Sequence, residues 1–140
     1  MTKKIAIILC SICVIALTVV LLQKTTVSTN YNADLQGIVI SLSKPINICF
    51  DSDEFEDNTV KSGFQLLTDD GTIKVIYREG DFDALHIGLY NSNNNECIQE
   101  NNIQKLHNSL IFKNLPSDAS YYIQVTGIGQ SGSHIKIGLR

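Results

Sequence analysis

The chain has 140 residues, of which 44% are hydrophobic and 18% charged, and its formal net charge is −3. Residues 25–140 carry eight basic and fourteen acidic side chains, a net charge of −6, and are long enough for one domain with a buried core. Nucleic acid and anionic lipid both favour basic surfaces, so this balance argues against nucleic acid as a partner and against a flat contact with lipid.

An uncharged apolar run occupies residues 5–22, with Lys3 and Lys4 before it and Lys24 after it. A helix needs at least about 17 such residues to span a bilayer, whereas the apolar part of a cleaved signal has about 7–15. We therefore expect residues 1–24 to be a signal-anchor that interacts with the membrane through residues 5–22. The lysine distribution predicts a cytoplasmic N-terminus and an extracytoplasmic C-terminal domain, which is secreted if the segment is cleaved.

After a polar stretch at 25–34, which we expect to be a tether, the hydrophobic periodicity is close to two. Short strands separated by turns, with no helical run among them, predict an all-β domain over residues 35–140. We expect an antiparallel, jelly-roll-like β-sandwich preceded by one N-terminal transmembrane helix. The predicted strands are 35–42, 46–50, 64–67, 72–77, 84–90, 97–98, 110–112, 121–126 and 134–139.

The order of turns and strands carries a resemblance to a known family. An Asp70-Gly71 turn, which we expect to be hairpin-like, precedes a strand. The Asp81-Phe82-Asp83 turn precedes a strand ending in Leu89-Tyr90, and an Asn/Ser loop follows at 91–95. A Tyr-Tyr-Ile-Gln-Val strand at 121–125, a Gly-Ser loop and a last alternating strand complete the pattern. This order resembles the bacterial pre-peptidase C-terminal domain. The resemblance implies a sandwich that acts as a non-catalytic module, and some relatives bind calcium or polymeric substrates.

The acidic segment 51–57 contains five carboxylates, and calcium prefers six to eight oxygen ligands. The EF-hand glycine and the bidentate Glu are missing, because the sixth loop position is Glu56 and the twelfth is Ser62. A solvated acidic loop is one interpretation. The other is a calcium site shared with the Asp81-Asp83 turn, if the sandwich brings both loops to one end. Its candidate ligands are Asp51, Asp53, Asp57, Asp81 and Asp83.

Two cysteines, Cys49 and Cys97, lie in the expected extracytoplasmic domain. Outside the cytoplasm they can form a disulfide, or they can be two separate small core residues. The sequence leaves both interpretations open, because a disulfide needs Cα atoms within about 7 Å.

The remaining polar and aromatic residues favour binding over catalysis. No two of His86, His107 and His134 have metal-ligand spacing, and we expect no enzyme. Four tyrosines could form a sugar-binding platform or could simply pack in the sheets; they are Tyr77, Tyr90, Tyr121 and Tyr122.

The sequence therefore predicts a membrane-anchored, extracytoplasmic, non-enzymatic binding or accessory module of the cell envelope. Its expected partners are an envelope protein or polysaccharide. The alternative is a structural or assembly component that acts through protein–protein contacts, with sheet edges as the contact sites.

Overall fold

A computed structural model describes residues 27–28, 35–129 and 134–140. These residues form short strands, with a 3-10 helix at Ser52–Glu54. In chain order the strands are β1 (Val27–Ser28), β2 (Val39–Ser41), β3 (Ile46–Asp51), β4 (Thr59–Lys61), β5 (Gln65–Leu67), β6 (Ile73–Gly80), β7 (Ala84–Asn91), β8 (Cys97–Gln104), β9 (Ser109–Phe112), β10 (Tyr121–Ile128) and β11 (His134–Leu139).

The strands form two sheets. One has five strands in the order β1-β3-β11-β6-β9, and the other has the order β2-β5-β10-β7-β8, with β4 paired beside β5 on the same strand, β10. Every connection between consecutive strands crosses from one sheet to the other, except β4 to β5 and β7 to β8. This alternation places the two sheets face to face, with their inner faces sharing one core.

The core follows from strict alternation along the long strands. In β10, Tyr121, Ile123 and Val125 are buried while the residues between them are partly exposed, and β3 and β11 show the same period. Successive side chains of a strand point to opposite sides, so each sheet has one apolar and one polar face. Large side chains from both sheets fill the space between them, among them Phe50, Phe64, Phe82, Phe112, Ile87 and Ile137.

The all-β prediction is confirmed, with three corrections. The sheets are not wholly antiparallel, because the edge strands β1 and β2 pair in parallel with β3 and β5. The Asp70-Gly71 turn joins strands of different sheets, so it is no hairpin. The short strand predicted at 97–98 extends to Gln104, since β8 is an edge strand whose polar residues face solvent.

The predicted membrane helix at residues 5–22 lies outside the described residues, as does all of the predicted tether except Val27–Ser28. Within residues 27–28, 35–129 and 134–140, no helix has the length and apolar character needed to cross a bilayer.

Candidate binding surface

The outer face of the six-stranded sheet carries two tyrosines on neighbouring strands. Tyr122 of β10 stands opposite Tyr90 of β7 in antiparallel register. Their rings stack, with centroids 5.1 Å apart and planes 11° from parallel. Favourable aromatic pairs have centroids about 4.5–7 Å apart. We call Tyr90 and Tyr122 the tyrosine platform.

The other two candidate tyrosines belong to the core. Tyr121 and Tyr77 are 1% and 3% exposed, and their hydroxyls donate to the backbone oxygens of Pro116 at 2.9 Å and Phe82 at 2.7 Å. Burial raises the pKa of both phenols. The structure therefore divides the predicted set of four into a surface pair and two packed residues.

Gly88 provides the space into which one ring of the platform leans. It lies two residues before Tyr90 on the same strand, and a Cβ atom at position 88 would stand 2.7 Å from Tyr90 Cε2. The ring consequently lies along β7 above the bare backbone of the glycine. Aromatic side chains are known to cover glycines in sheets in this way.

A polar cleft borders the platform on the side of β5. Its volume is about 240 Å³, and Tyr122 is part of both features. Lys61 is the one charged side chain among the described residues that line it, and its Nζ lies 5.9 Å from the Tyr122 ring centroid. The complete lining, which we call the polar cleft, is Gln36, Lys61, Ser62, Gly63, Phe64, Gln65, Ser92, Asn95 and Tyr122.

Two serines of the cleft differ in their hydrogen bonding. Ser62 Oγ donates to Phe64 O at 3.1 Å and accepts from Ile123 N at 3.1 Å, so it holds the segment before β5 against β10. Ser92 Oγ is buried and has no hydrogen-bond partner among the described residues. A buried hydroxyl without a partner costs about 1–3 kcal/mol.

On the far side of the platform, a polar cluster follows β7 and β8. His86 Nδ1 lies 2.7 Å from Asn102 Oδ1, and its Nε2 lies 3.4 Å from Glu100 Oε2. Cys97 Sγ lies 3.9 Å from the same Glu100 oxygen. The pKa of Tyr90 is raised, mainly because its phenol is partly buried and secondly because Cys97 lies nearby.

This cluster lacks the order required for nucleophilic catalysis. A thiol is activated by a histidine that takes its proton, and a carboxylate orients that histidine from the other side. Here the carboxylate of Glu100 contacts both Cys97 and His86. The arrangement suits hydrogen bonding at a polar surface.

The outer face can be followed across the strands as a row of aligned residues. Val39 pairs with Gln65, Gln65 lines the cleft beside Tyr122, Tyr122 pairs with Tyr90, and Tyr90 pairs with Cys97. Five strands about 4.8 Å apart make this row roughly 19 Å long. It runs perpendicular to the strands, with the platform in its centre.

The predicted calcium ligands lie at one end of the sandwich. Asp51 Oδ1 is 3.5 Å from His134 Nδ1, and Asp81 N donates to His134 O at 3.2 Å. The rings of Phe55 and Phe82 join the two acidic loops, with centroids 5.9 Å apart. The two loops therefore meet, as the shared-site interpretation requires.

The carboxylates themselves do not gather into a metal site. Asp53 is an exposed residue of the 3-10 helix, Asp57 has a left-handed backbone at φ 49°, and the Asp83 carboxylate packs against Gly129. Within the described parts of the chain, no group of three or more His, Cys, Asp or Glu side chains is placed to hold a metal ion. Calcium at Asp51, Asp53, Asp57, Asp81 and Asp83 stays a prediction.

The structure does not join the two cysteines. Cys49 lies on β3 with its side chain on the outer face of the five-stranded sheet, and Cys97 begins β8 at the edge of the other sheet. Both thiols are free, and Cys49 is the more buried. The two thiols form no disulfide in this structure because the core and both sheets separate the residues, and neither is a core residue.

The sequence could indicate parts of this surface. Alternation around the buried Tyr121 and Leu89 places Tyr122 and Tyr90 on outer faces. Their cross-strand pairing, the ring above Gly88 and the assembly of the cleft from distant segments depend on register, which alternation alone does not supply.

No protein-family model matches the sequence, and no curated protein matches it significantly. Membership of the pre-peptidase C-terminal family therefore stays a prediction.

Several solved structures share a low-level likeness. PliG of Aeromonas hydrophila, a periplasmic inhibitor of g-type lysozyme, is 16% identical over 74% of this chain and 95% of its own, with a TM-score of 0.42. The pre-peptidase C-terminal domain of a Bacillus anthracis collagenase is 12% identical over 76% and 96%, with a TM-score of 0.38. The Glycosylation Associate Protein (Gap123) complex of Streptococcus agalactiae is 22% identical over 54% and 25%, also with a TM-score of 0.38.

Proposed function

We propose that the chain is a non-enzymatic binding module of the cell envelope, anchored by residues 5–22 and presenting residues 35–140 outside the cytoplasm. The membrane and orientation parts of this proposal rest on the apolar run and on the lysines before it. Its binding surface is the outer face of the six-stranded sheet.

The observation that carries the proposal is the tyrosine platform. Tyr90 and Tyr122 are partly exposed, stack on one another and stand beside a polar cleft. Tyrosine is enriched at binding surfaces because it presents a large rigid apolar body with a polar tip. A rigid pair loses little conformational freedom when a ligand binds, which favours affinity.

A sedimentation assay tests this function. The full chain, in micelles of a polyoxyethylene detergent without sugar headgroups, is mixed with envelope fragments of the organism that encodes it, and the pelleted fraction is measured. We expect the wild type to sediment and the double variant Tyr90→Ala, Tyr122→Ala to lose at least about tenfold in affinity, since two central aromatic contacts are removed.

The opposite face of the molecule provides a matched control. Lys74 and Ile111 also form a cross-strand pair, on the outer face of the five-stranded sheet. The variant Lys74→Ala, Ile111→Ala should sediment like the wild type. Equal sedimentation of the wild type and the platform variant, or no sedimentation of either, would overturn the proposed function.

A further inference from the structure

We infer that the tyrosine platform and the polar cleft together bind a carbohydrate chain that lies across the strands. This inference rests on the proposed function and adds the chemical class of the ligand. It rests on three features: an aromatic surface, a hydrogen-bonding cleft, and the position of the two beside each other along a line across the strands.

The platform matches one face of a sugar ring. Pyranose rings present C–H groups on their faces and hydroxyls around their edges, so they pack on aromatic rings while their hydroxyls reach neighbouring polar groups. Because the two rings stack on each other, only the outward face of each is open to a sugar ring, and Gln65 and Lys61 line the cleft beside Tyr122. Both requirements are therefore met by neighbouring residues on one face of the sheet.

The cleft matches hydroxyl groups in particular. A hydroxyl both donates and accepts, and side-chain amides and hydroxyls offer the same pair of functions. Gln36, Gln65, Asn95 and Ser92 all line the cleft, and the buried Ser92 Oγ is without a partner among the described residues. This hydroxyl is shielded from solvent in the free protein, so it can bond to a ligand only after the Ser92 side chain rotates toward the cleft. The exposed amides of Gln36, Gln65 and Asn95 are the groups that a sugar hydroxyl meets first.

The size of the cleft favours a chain over a large compact ligand. At about 240 Å³ it is smaller than the roughly 300–1,000 Å³ typical of sites for drug-sized ligands. Tyr122 borders both the cleft and the platform, so a ring seated in the cleft has its neighbour on the platform. The row of about 19 Å across five strands offers further length for the same chain.

A protein partner fits this surface less well. Stable protein interfaces have an apolar centre. Among the described residues, most of the exposed large hydrophobic side chains lie away from the platform. Leu106 lies in the β8–β9 turn, Ile111 is on the other sheet and Val39 is at the far end of the row. Ile98, at the β8 bulge beside Tyr90, is the exception.

The deciding experiment treats the envelope fragments in two ways before the sedimentation assay. Periodate cleaves the vicinal diols of sugars, and a protease removes proteins. We expect periodate treatment of the fragments to abolish sedimentation of the wild-type full chain. Protease treatment of the fragments, after which the protease is inhibited and washed away, should leave sedimentation unchanged.

Soluble polysaccharides and a cleft variant extend the test. A β-glucan, a mannan and a polygalacturonate are added as competitors and as additives in native gels, where binding retards the protein. At least one should compete and retard the wild type. Ser92→Ala, Gln65→Ala should weaken that binding at least about threefold, with a thermal midpoint no lower than that of the wild type and with Lys74→Ala, Ile111→Ala as the unaffected control.

The outcomes separate the two proposals. Platform-dependent sedimentation that survives periodate but is lost after protease treatment would overturn the carbohydrate inference and leave the binding function standing, with a protein as the partner. Sedimentation that does not depend on the platform would overturn the binding function itself. A cleft variant that binds like the wild type would overturn the assignment of the cleft.

Discussion

Tyr121 and Tyr122 are neighbours in the chain and have opposite environments. Tyr121 points into the core and donates to Pro116 O, whereas Tyr122 lies on the outer face and stacks on Tyr90. The difference arises from the alternation of β10 alone. At this scale the sequence is informative, because alternation assigns a face to each residue once one buried neighbour is known.

This difference predicts unequal effects of removing one hydroxyl. Tyr121→Phe leaves Pro116 O without its donor and should lower the free energy of unfolding by about 0.5–1.5 kcal/mol. Tyr122→Phe should change it by less than about 0.5 kcal/mol, as is usual at a surface site. Urea denaturation of both variants measures the difference, and equal losses would contradict the assigned environments.

Asp70 predicts a dependence of stability on pH. Its carboxylate accepts hydrogen bonds from Thr72 Oγ1 at 2.8 Å, Thr72 N at 2.9 Å and Thr68 Oγ1 at 3.0 Å. The Thr72 hydroxyl, then its backbone N–H, then Thr68 hold the pKa of Asp70 below its usual value. A carboxyl with a depressed pKa stabilises the fold above its unfolded pKa of about 3.9, and this contribution is lost as pH falls through the folded value.

The wild type should therefore exceed Asp70→Asn in stability at pH 7, and the difference should shrink steadily below about pH 4. Urea denaturation at a series of pH values measures it. Asp69→Asn, which removes the same charge from the neighbouring position, controls for net charge. A difference between wild type and Asp70→Asn that stays constant down to pH 2 would contradict the assigned hydrogen bonds.

At the scale of elements, two glycines of the six-stranded sheet hold aromatic rings by different means. A Cβ at Gly127 of β10 would collide with the ring of Phe82, which is fully buried in the β6–β7 turn. A Cβ at Gly88 of β7 would meet only the outer part of the Tyr90 ring, which can rotate toward solvent. One glycine therefore serves folding and the other shapes the platform.

Gly127→Ala should destabilise the fold by about 1–3 kcal/mol, because the packed ring of Phe82 has no space into which to move. Thermal or urea denaturation measures the loss. Retention of wild-type stability would show that Phe82 does not lie against β10.

Gly88→Ala should instead leave stability nearly unchanged and weaken binding to envelope fragments about three- to tenfold, because the Tyr90 ring is displaced from its stack. Sedimentation and denaturation of the same preparation separate the two effects. Unchanged binding at unchanged stability would show that the position of Tyr90 above Gly88 does not contribute to the site.

The edge strand β8 also bears on function. Asn102 N bonds to Asn101 Oδ1 at 2.8 Å, and Gln104 N bonds to His107 O at 3.3 Å. Gln99 joins β8 to the other sheet through Lys113 O at 2.7 Å. Edge groups occupied in this way are poor templates for a further strand, so the contacts of β8 do not favour assembly through this edge.

The sequence did not predict the length of β8, and the reason is physical. Its residues from Gln99 to Asn102 are polar because nearly all of the strand is exposed, with Ile103 as its one buried residue, so their pattern resembles that of a loop. Strands β6, β7 and β10 pack in the interior of the sheets, and their alternation predicted their positions closely.

At the scale of the whole molecule, the separation of the sheets determines the state of the thiols. Cys49 is partly buried, and that burial raises its pKa, whereas Cys97 is exposed. Because the thiolate is the reactive form, Cys97 should react with iodoacetamide before Cys49 in the folded protein. Peptide mass spectrometry follows both rates, and recovery of a Cys49–Cys97 disulfide-linked peptide would contradict the placement of the two sheets.

The acidic end, which comprises the loops at 51–57 and 81–83, and the tyrosine platform lie in different parts of the molecule, and only the acidic loops stand out in the sequence. Runs of like residues such as 51–57 are visible in the sequence, whereas the binding surface combines β2, β5, β7, β8 and β10 with neighbouring turns. Its members are ordinary polar and aromatic residues, and only the pairing of strands brings them together.

Hydroxyl-radical footprinting of the full chain, with and without envelope fragments, tests whether the outer face of the six-stranded sheet is the binding surface. Each side chain reports its own exposure, so the contact surface is located without substitutions. We expect the fragments to protect Tyr90 and Tyr122 from oxidation and to leave Ile111, on the opposite face, unchanged. Protection of Ile111 or of the acidic end, with Tyr90 and Tyr122 oxidised as in the free protein, would contradict that expectation.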